Sequence, residues 1–183
     1  MENIHTGITH SGSFHTDDIM STALLRYFYP SMKVIRVQEY DGTPSEGEIV
    51  YDIGLGKFDH HQEERVLNDY GTPYSAFGLL WEHYGRLYLE KQGCFNIEVA
   101  FKKFKDKYVS KIDKGDNEGY KGIKDFFENM TILRCNSLWF EEVNEEYENI
   151  RFEKAVKLGQ VFLSNWTRNV IEASDGQTFS ITF

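Results

Sequence analysis

The stretch that most constrains this chain runs from Tyr51 to Gln62 and reads Y-D-I-G-L-G-K-F-D-H-H-Q. Glu48 to Tyr51 is a strand-like run, and Gly54 and Gly56 permit a sharp reversal after it. Asp52 stands at the strand end, and Asp59, His60 and His61 follow across the reversal. Together they can aim several ligand atoms at one small volume. An isolated His pair on a surface turn would be the more economical reading of such a motif. A second cluster of the same type near the N-terminus, His10, His15 and Asp17, tips the balance toward a metal site. Oxygen and imidazole ligands without thiolate suit Mn2+, Mg2+ or Fe2+, and Zn2+ also fits.

At 183 residues the chain suits one domain with a full core. A hydrophobic share of 40% argues against disorder, and an aromatic share of 15% suits bulky core packing or an aromatic-lined cleft. The net charge of −9 argues against non-specific binding to long nucleic acid over a broad basic face. It leaves room for a local site that grips a few phosphates. Cys94 and Cys135 make neither a disulfide framework nor a thiolate zinc site, and read as two buried free thiols in a reducing compartment. The N-terminus lacks signal-peptide character and no run approaches membrane-spanning length, so the expectation is a cytoplasmic protein with no membrane partner.

Ile4 to Thr9 reads as a first strand ending at His10. Thr16 is the expected N-cap of a helix from about Asp17 to Tyr29, closed by Pro30. Asp17 and Asp18 in its first turn are already accounted for by the helix dipole. His10, His15 and Asp17 nevertheless sit where a strand hands over to a helix, the usual place for ligand sites in open α/β sheets. Lys33 to Gln38 is a second strand, completing a βαβ pattern and implying a parallel pair. Lys57 to His60 is expected to run back as a short hairpin arm.

Thr72 and Pro73 suggest an N-cap and first-turn proline for a helix whose apolar stripe runs from Phe77 to Tyr88. Ser75 and Ala76 at its start are small enough for a close backbone approach. Asn96 to Lys114 reads as one or two helices, followed by a loop from Gly115 to Gly122, a helix from Ile123 to about Cys135, and a long helix from about Tyr147 to Ala173. Thr178 to Phe183 alternates like an edge strand. Eight lysines between Lys102 and Lys124 bracket Asp113. They would form either a solvated helix face or a surface that orients a phosphate-bearing substrate.

The candidates gathered in this way are His10, His15, Asp17, Asp52, Asp59, His60, His61 and Asp113. Two divalent ions about 3.5–4 Å apart need a bridging carboxylate and further His or Asp ligands on each side, which this inventory supplies. T-H-S-G-S-F-H-T-D-D-I-M, Y-D-I-G and F-D-H-H-Q together resemble the DHH phosphoesterase superfamily. Within it they look most like the melanocyte-proliferating-gene family, whose better-known members are described as RNA exonucleases. The resemblance covers residues 1 to about 120, and the segment T-P-Y-S-A-F-G-L-L-W-E-H-Y-G is also similar to that family.

Carried over by position, the resemblance assigns metal binding to His10, His15, Asp17, Asp52, His60 and Asp113, with Asp52 bridging two ions and Mn2+ the leading candidate. His15 stands where other members carry aspartate. Asp59 would orient His60, and His61 would face the substrate phosphate or move a proton. Asp113, rather than nearby Asp116, is the choice for the fourth motif. The short link from Asp52 to Asp59 leaves no room for the βα unit common in the superfamily. The C-terminal domain that usually supplies substrate-binding segments is not recognisable.

The expected architecture is an α/β domain with a short, mainly parallel sheet flanked by helices and a helix-rich C-terminal half. It would comprise a strand-rich metal half (1–64), a helical half (65–173) and a C-terminal turn and edge strand (174–183). The expected function is metal-dependent hydrolysis of phosphodiester bonds, by a metal-activated water, in a short single-stranded nucleic acid or small phosphate ester. A homodimer would fit an aromatic face left open by a missing domain. The competing reading is a non-catalytic metal- or nucleotide-binding module. Amide hydrolysis has less support, since H-E-x-x-H and Ser or Cys nucleophile motifs are lacking.

Overall fold

The computed structural model describes residues 3–118 and 145–176. The expected helix at 123–135, Cys135 and the edge strand at 178–183 lie outside them. Three parallel strands, β1 (Thr6–His10), β2 (Lys33–Val37) and β3 (Glu48–Val50), form a sheet in the order β2-β1-β3. β1 is central because it carries the small, apolar sequence Gly7-Ile8-Thr9, buried on both faces. Ile8 stands in register with Ile35 on one side and Val50 on the other. Parallel strands order their carboxyl ends together, and so bring His10 and the residues after Val50 to one edge.

Helix α1 (Thr16–Phe28) supplies the crossover from β1 to β2. Its residues Thr16 to Leu25 are all buried, so it is an internal helix and not a surface one. Around it lie α2 (Ala76–Lys91), α3 (Ile97–Phe104), α4 (Ser110–Glu118) and α5 (Glu145–Asp175). The 31 residues of α5 give it a length of about 46 Å, enough to lie along the whole domain. It approaches α1 closely at Gly159, where a β-carbon would stand 3.0 Å from Ile19 Cγ2. The aromatic share is spent largely in the core. Trp81 stacks on Phe104 at 3.9 Å between ring centroids, and Tyr108 on Trp166 at 4.4 Å.

Four local expectations are corrected. The N-cap of α1 is His15 rather than Thr16, because Asp18 reaches back to accept the His15 backbone N–H at 3.0 Å. The N-cap of α2 is Ser75 rather than Thr72, its hydroxyl accepting from Gly78 N at 3.2 Å. Pro73 instead bridges to Leu67. Phe58 does not return as a hairpin arm but forms a parallel bridge with Tyr51, with Asp52 N donating to Phe58 O at 3.0 Å. The chain manages this by passing through left-handed conformations at Asp52, Gly54 and Leu55 (φ 57°, 83° and 55°), which coil it into a tight loop. Finally, α4 does not end at Gly115 but continues to Glu118. A π-helical turn, Lys105–Val109, joins α3 to α4 and sets the phase that buries Ile112 and Asp113.

Among the described residues, no helix is long and apolar enough to cross a membrane. Cys94 is a buried free thiol.

Candidate metal centre

The acidic first turn of α1, the end of β1, the loop after β3 and the second turn of α4 meet at the carboxyl edge of the sheet. Three groups of side chains converge there: His10, Asp18 and Asp52; Asp52, His60 and His61; and His15, Asp17 and Asp116. Asp52 belongs to two of them. Its Oδ1 lies 3.0 Å from His60 Nε2 and its Oδ2 lies 3.3 Å from His10 Nε2. His10 Nε2 also stands 3.1 Å from Asp18 Oδ2. His60 Nε2 stands 3.3 Å from Asp116 Oδ2 and 3.8 Å from Asp17 Oδ2. The His10 and His15 rings are 5.4 Å apart.

Burial here is costly for charge. Asp17 and Asp18 are fully buried and Asp52 nearly so. Burial, reinforced by the charges of Asp52, Asp116 and Asp18, holds the Asp17 carboxyl well above the ordinary range. Burial raises Asp116 too, more than His60 can offset. Asp52 goes the other way: burial would raise it, but His10 and His60 outweigh that and keep it ionised. Burial disfavours a charge on His10, yet Asp18 and Asp52 hold its pKa up at about 11. A cluster of this kind requires positive charge.

Four of its buried polar atoms, Asp17 Oδ1, Asp18 Oδ2, Asp52 Oδ2 and His60 Nδ1, have no aligned hydrogen-bond partner. Buried polar atoms are rarely left so. Carboxylate oxygens and imidazoles converging without thiolate, with lone pairs unspent, fit a divalent cation.

The structure brings together His10, His15, Asp17, Asp52, His60 and His61, and sets Asp113 apart. Asp113 is completely buried, and both its oxygens are taken. Oδ1 accepts from Ser75 N at 3.0 Å and Ser75 Oγ at 2.8 Å, and Oδ2 accepts from Asn68 Nδ2 at 3.0 Å. It secures the start of α2, while Asp116, one turn further along α4, faces His60. Reading Gly115 as a helix stop put Asp116 in a loop and favoured Asp113 over it. Asp18 was hidden by its own adequate explanation as a first-turn acid. The small residues at the start of α2 are likewise occupied: Ala76 N donates to Asp17 Oδ2 at 3.3 Å.

Asp59 does not orient His60. Its Oδ1 accepts from His61 Nδ1 at 2.7 Å, and its Oδ2 from Leu55 N at 2.6 Å, so it staples the left-handed loop and fixes the His61 ring. The His61 bond lowers the Asp59 carboxyl against the opposing effect of burial, and Asp59 in turn raises His61. His61 is half exposed, unlike His60.

The lysine-rich segment offers less free charge than its sequence suggests. Lys105 is buried and ion-paired to Asp69 at 3.0 Å and Glu82 at 2.5 Å. Lys102 pairs with Asp106, and Lys114 lies 3.9 Å from Glu118. Lys103 Nζ donates to Ala173 O at 2.8 Å. Lys121 and Lys124 lie outside the described residues. An arginine the sequence did not single out, Arg65, donates to Asn117 Oδ1 at 3.0 Å and lines a small pocket together with Asp59 and His60.

A family model described as "Uncharacterised protein family (UPF0160)", named MYG1_exonuc, matches residues 6–176. The "MYG1 protein" of Dictyostelium discoideum is 31% identical over 177 residues, covering 85% of this chain and 54% of its own length. The "MYG1 exonuclease" of Mus musculus is 26% identical over 186 residues, covering 83% of this chain and 47% of its own. The "MYG1 exonuclease" of Homo sapiens is 28% identical over 130 residues, covering 60% and 34%. The chain thus spans about half the length of the curated relatives it matches or less. No solved structure matches. With a family match over almost all of its length, this chain belongs to the uncharacterised family UPF0160, the melanocyte-proliferating-gene (MYG1) family.

Proposed function

We propose that this chain is a metal-dependent phosphoesterase of DHH-like architecture, a single domain that hydrolyses phosphodiester bonds in short single-stranded oligonucleotides or small nucleotides. The observation that carries the reading is the convergence around Asp52 of buried carboxylates and imidazoles, several of whose atoms have no aligned hydrogen-bond partner. The name "MYG1 exonuclease" of the mouse relative supports the substrate class. His10, Asp18, Asp52 and His60, with His15, Asp17 and Asp116, would hold two divalent ions, Mn2+ being our choice. Asp116 takes the place first given to Asp113. When bound, such ions neutralise phosphate charge and acidify a water.

The protein's own residues do the rest. Asp52 ties the two halves of the centre together from a backbone position fixed by the left-handed loop. Asp59 accepts the Nδ1 proton of His61, which leaves His61 Nε2 to take a proton from the attacking water or give one to the leaving oxygen. Arg65, held by Asn117 and lining a small pocket with His60, can meet a substrate phosphate. Net charge −9 favours short substrates that such local contacts suffice to hold.

The test is turnover of a short single-stranded RNA and of bis(p-nitrophenyl) phosphate with Mn2+, comparing wild type with Asp52→Asn and His60→Ala. Cleavage by the wild type and its loss in both variants is the expected result. A wild type that binds Mn2+ but cleaves neither substrate would sink the reading and leave a binding module.

A further inference from the structure

A cavity lies against the loop that carries Asp52 and Asp59, lined there by Gly54, Gly56, Lys57 and Phe58. It has a volume of about 610 Å3, within the range of small-molecule sites, and runs along the outer side of β3 toward α2. Tyr40, Phe58, His83, Tyr84 and Leu87 line it, with Lys57, which also lines a small pocket beside Asp59 and His60, and with Glu48, at the start of β3 and away from the strand end that carries Asp52. Lys57 Nζ sits 4.9 Å over the Phe58 ring and 3.3 Å from His83 Nδ1. Among the described residues no carboxylate lies within ion-pair distance of it, in contrast to Lys102 and Lys105 on the basic segment. Tyr40 packs under the loop, where a β-carbon at Gly54 would come within 2.8 Å of its ring.

Resting on the phosphoesterase reading, we infer that this cleft is a subsite for one nucleoside of a single-stranded substrate. The neighbouring phosphate meets Lys57 and the base lies among Tyr40, Phe58 and Tyr84. An aromatic-lined groove with a cation is how single strands are held without sequence readout. The charge placement orients the occupant: the cation at the loop end draws the phosphate toward the metal centre, and Glu48 repels it from the far end. Continuity is built into the sequence, since Phe58 lines the cleft and the next residue, Asp59, fixes His61.

The experiment measures binding of a pentanucleotide to the whole protein with Ca2+, by fluorescence anisotropy, against the same strand made abasic one position at a time. At one position, removing the base is expected to weaken binding about tenfold or more. Tyr40→Ala should shrink that ratio toward one, whereas Lys57→Ala should weaken intact and abasic strands alike and flatten the salt dependence. Equal affinity for the intact strand and all abasic strands, or an undiminished ratio in Tyr40→Ala, overturns the inference and leaves the cleft to another part of the polypeptide or to a protein partner. Turnover of bis(p-nitrophenyl) phosphate, too small to need the cleft, reports separately on the metal centre. Cleavage of that ester without base discrimination therefore removes the subsite alone. Base discrimination without any turnover removes the enzyme alone.

Discussion

Asp113 and Asp116 are one helical turn apart on α4, and both are shielded from water, yet their surroundings differ in kind. Asp113 meets three donors with two oxygens and has nothing left to offer. Asp116 meets His60, in a group of atoms that includes several with no aligned partner. The difference separates a carboxylate used as architecture, met by neutral donors, from one set among other ionisable side chains, His60 and Asp17.

The largest effect that could break this distinction is expected at Asp52. Asp52→Asn should lower metal-dependent turnover on the order of a thousandfold, while circular dichroism shows the fold retained. If turnover survives, the unpaired cluster is not the reaction centre. Next comes His61→Gln, expected to cost about 10²-fold in turnover with melting temperature unchanged, because the ring is half exposed. A flat pH–rate profile in that variant where the wild type shows an ionisation would sharpen its proton-transfer role.

Asp113→Ala should do the reverse. It orphans Ser75 and Asn68 and should cost about 2–4 kcal/mol in denaturant unfolding, with turnover per folded molecule much less affected. Were activity lost without loss of stability, Asp113 would belong with Asp116.

Acidity offers a gentler probe. Burial raises the Asp113 pKa to about 6 against an ordinary 3.8, and its hydrogen bonds from Ser75 and Asn68 only partly oppose this. Asp17 and Asp116 are raised as well. The folded protein therefore binds more protons than the unfolded chain across this interval. Stability of the metal-free protein should be greatest near pH 4 and fall as pH climbs through 6, by about 3 kcal/mol in all from Asp113 alone once the pH is well above 6. Saturating Mn2+ should abolish the parts due to Asp17 and Asp116 and leave that of Asp113, which melting curves at several pH values with EDTA or Mn2+ would separate. Smallest of all, Lys102→Ala should change stability by less than about 0.5 kcal/mol and leave KM unaltered, since its charge is spent on an exposed pair with Asp106.

Most of the fold was legible because it depends on short-range patterns. Apolar runs at Ile4–Thr9, Lys33–Gln38 and Glu48–Tyr51 and the helical stripe from Phe77 gave the parallel βαβ start and α2. The gathering of His10, Asp17, Asp52 and His60 could also be read, since strand ends of a parallel sheet meet at one edge. The rest depended on partners that linear sequence does not reveal. Which of Asp113 and Asp116 faces the site is decided by the π-helical turn and by Ser75, 38 residues away from Asp113. Which histidine Asp59 holds is decided by backbone angles at Asp52 and Leu55 that no propensity assigns to those residues. How much free charge the lysine segment keeps was not legible either, because Lys105 finds its carboxylate partners, Asp69 and Glu82, elsewhere in the chain.

The tight fit at the start of α2 has a consequence for inheritance. A β-carbon at Gly78 would stand 2.3 Å from Asp113 Oδ1 and 2.7 Å from the Tyr74 ring. Every missense change at codon 78 adds that carbon, so none can be silent in effect. A library of variants scored for survival should show position 78 as intolerant as Asp113 itself, although glycine has no side chain and touches no substrate. Selection on a carboxylate is thereby recorded at a residue that has no chemistry of its own.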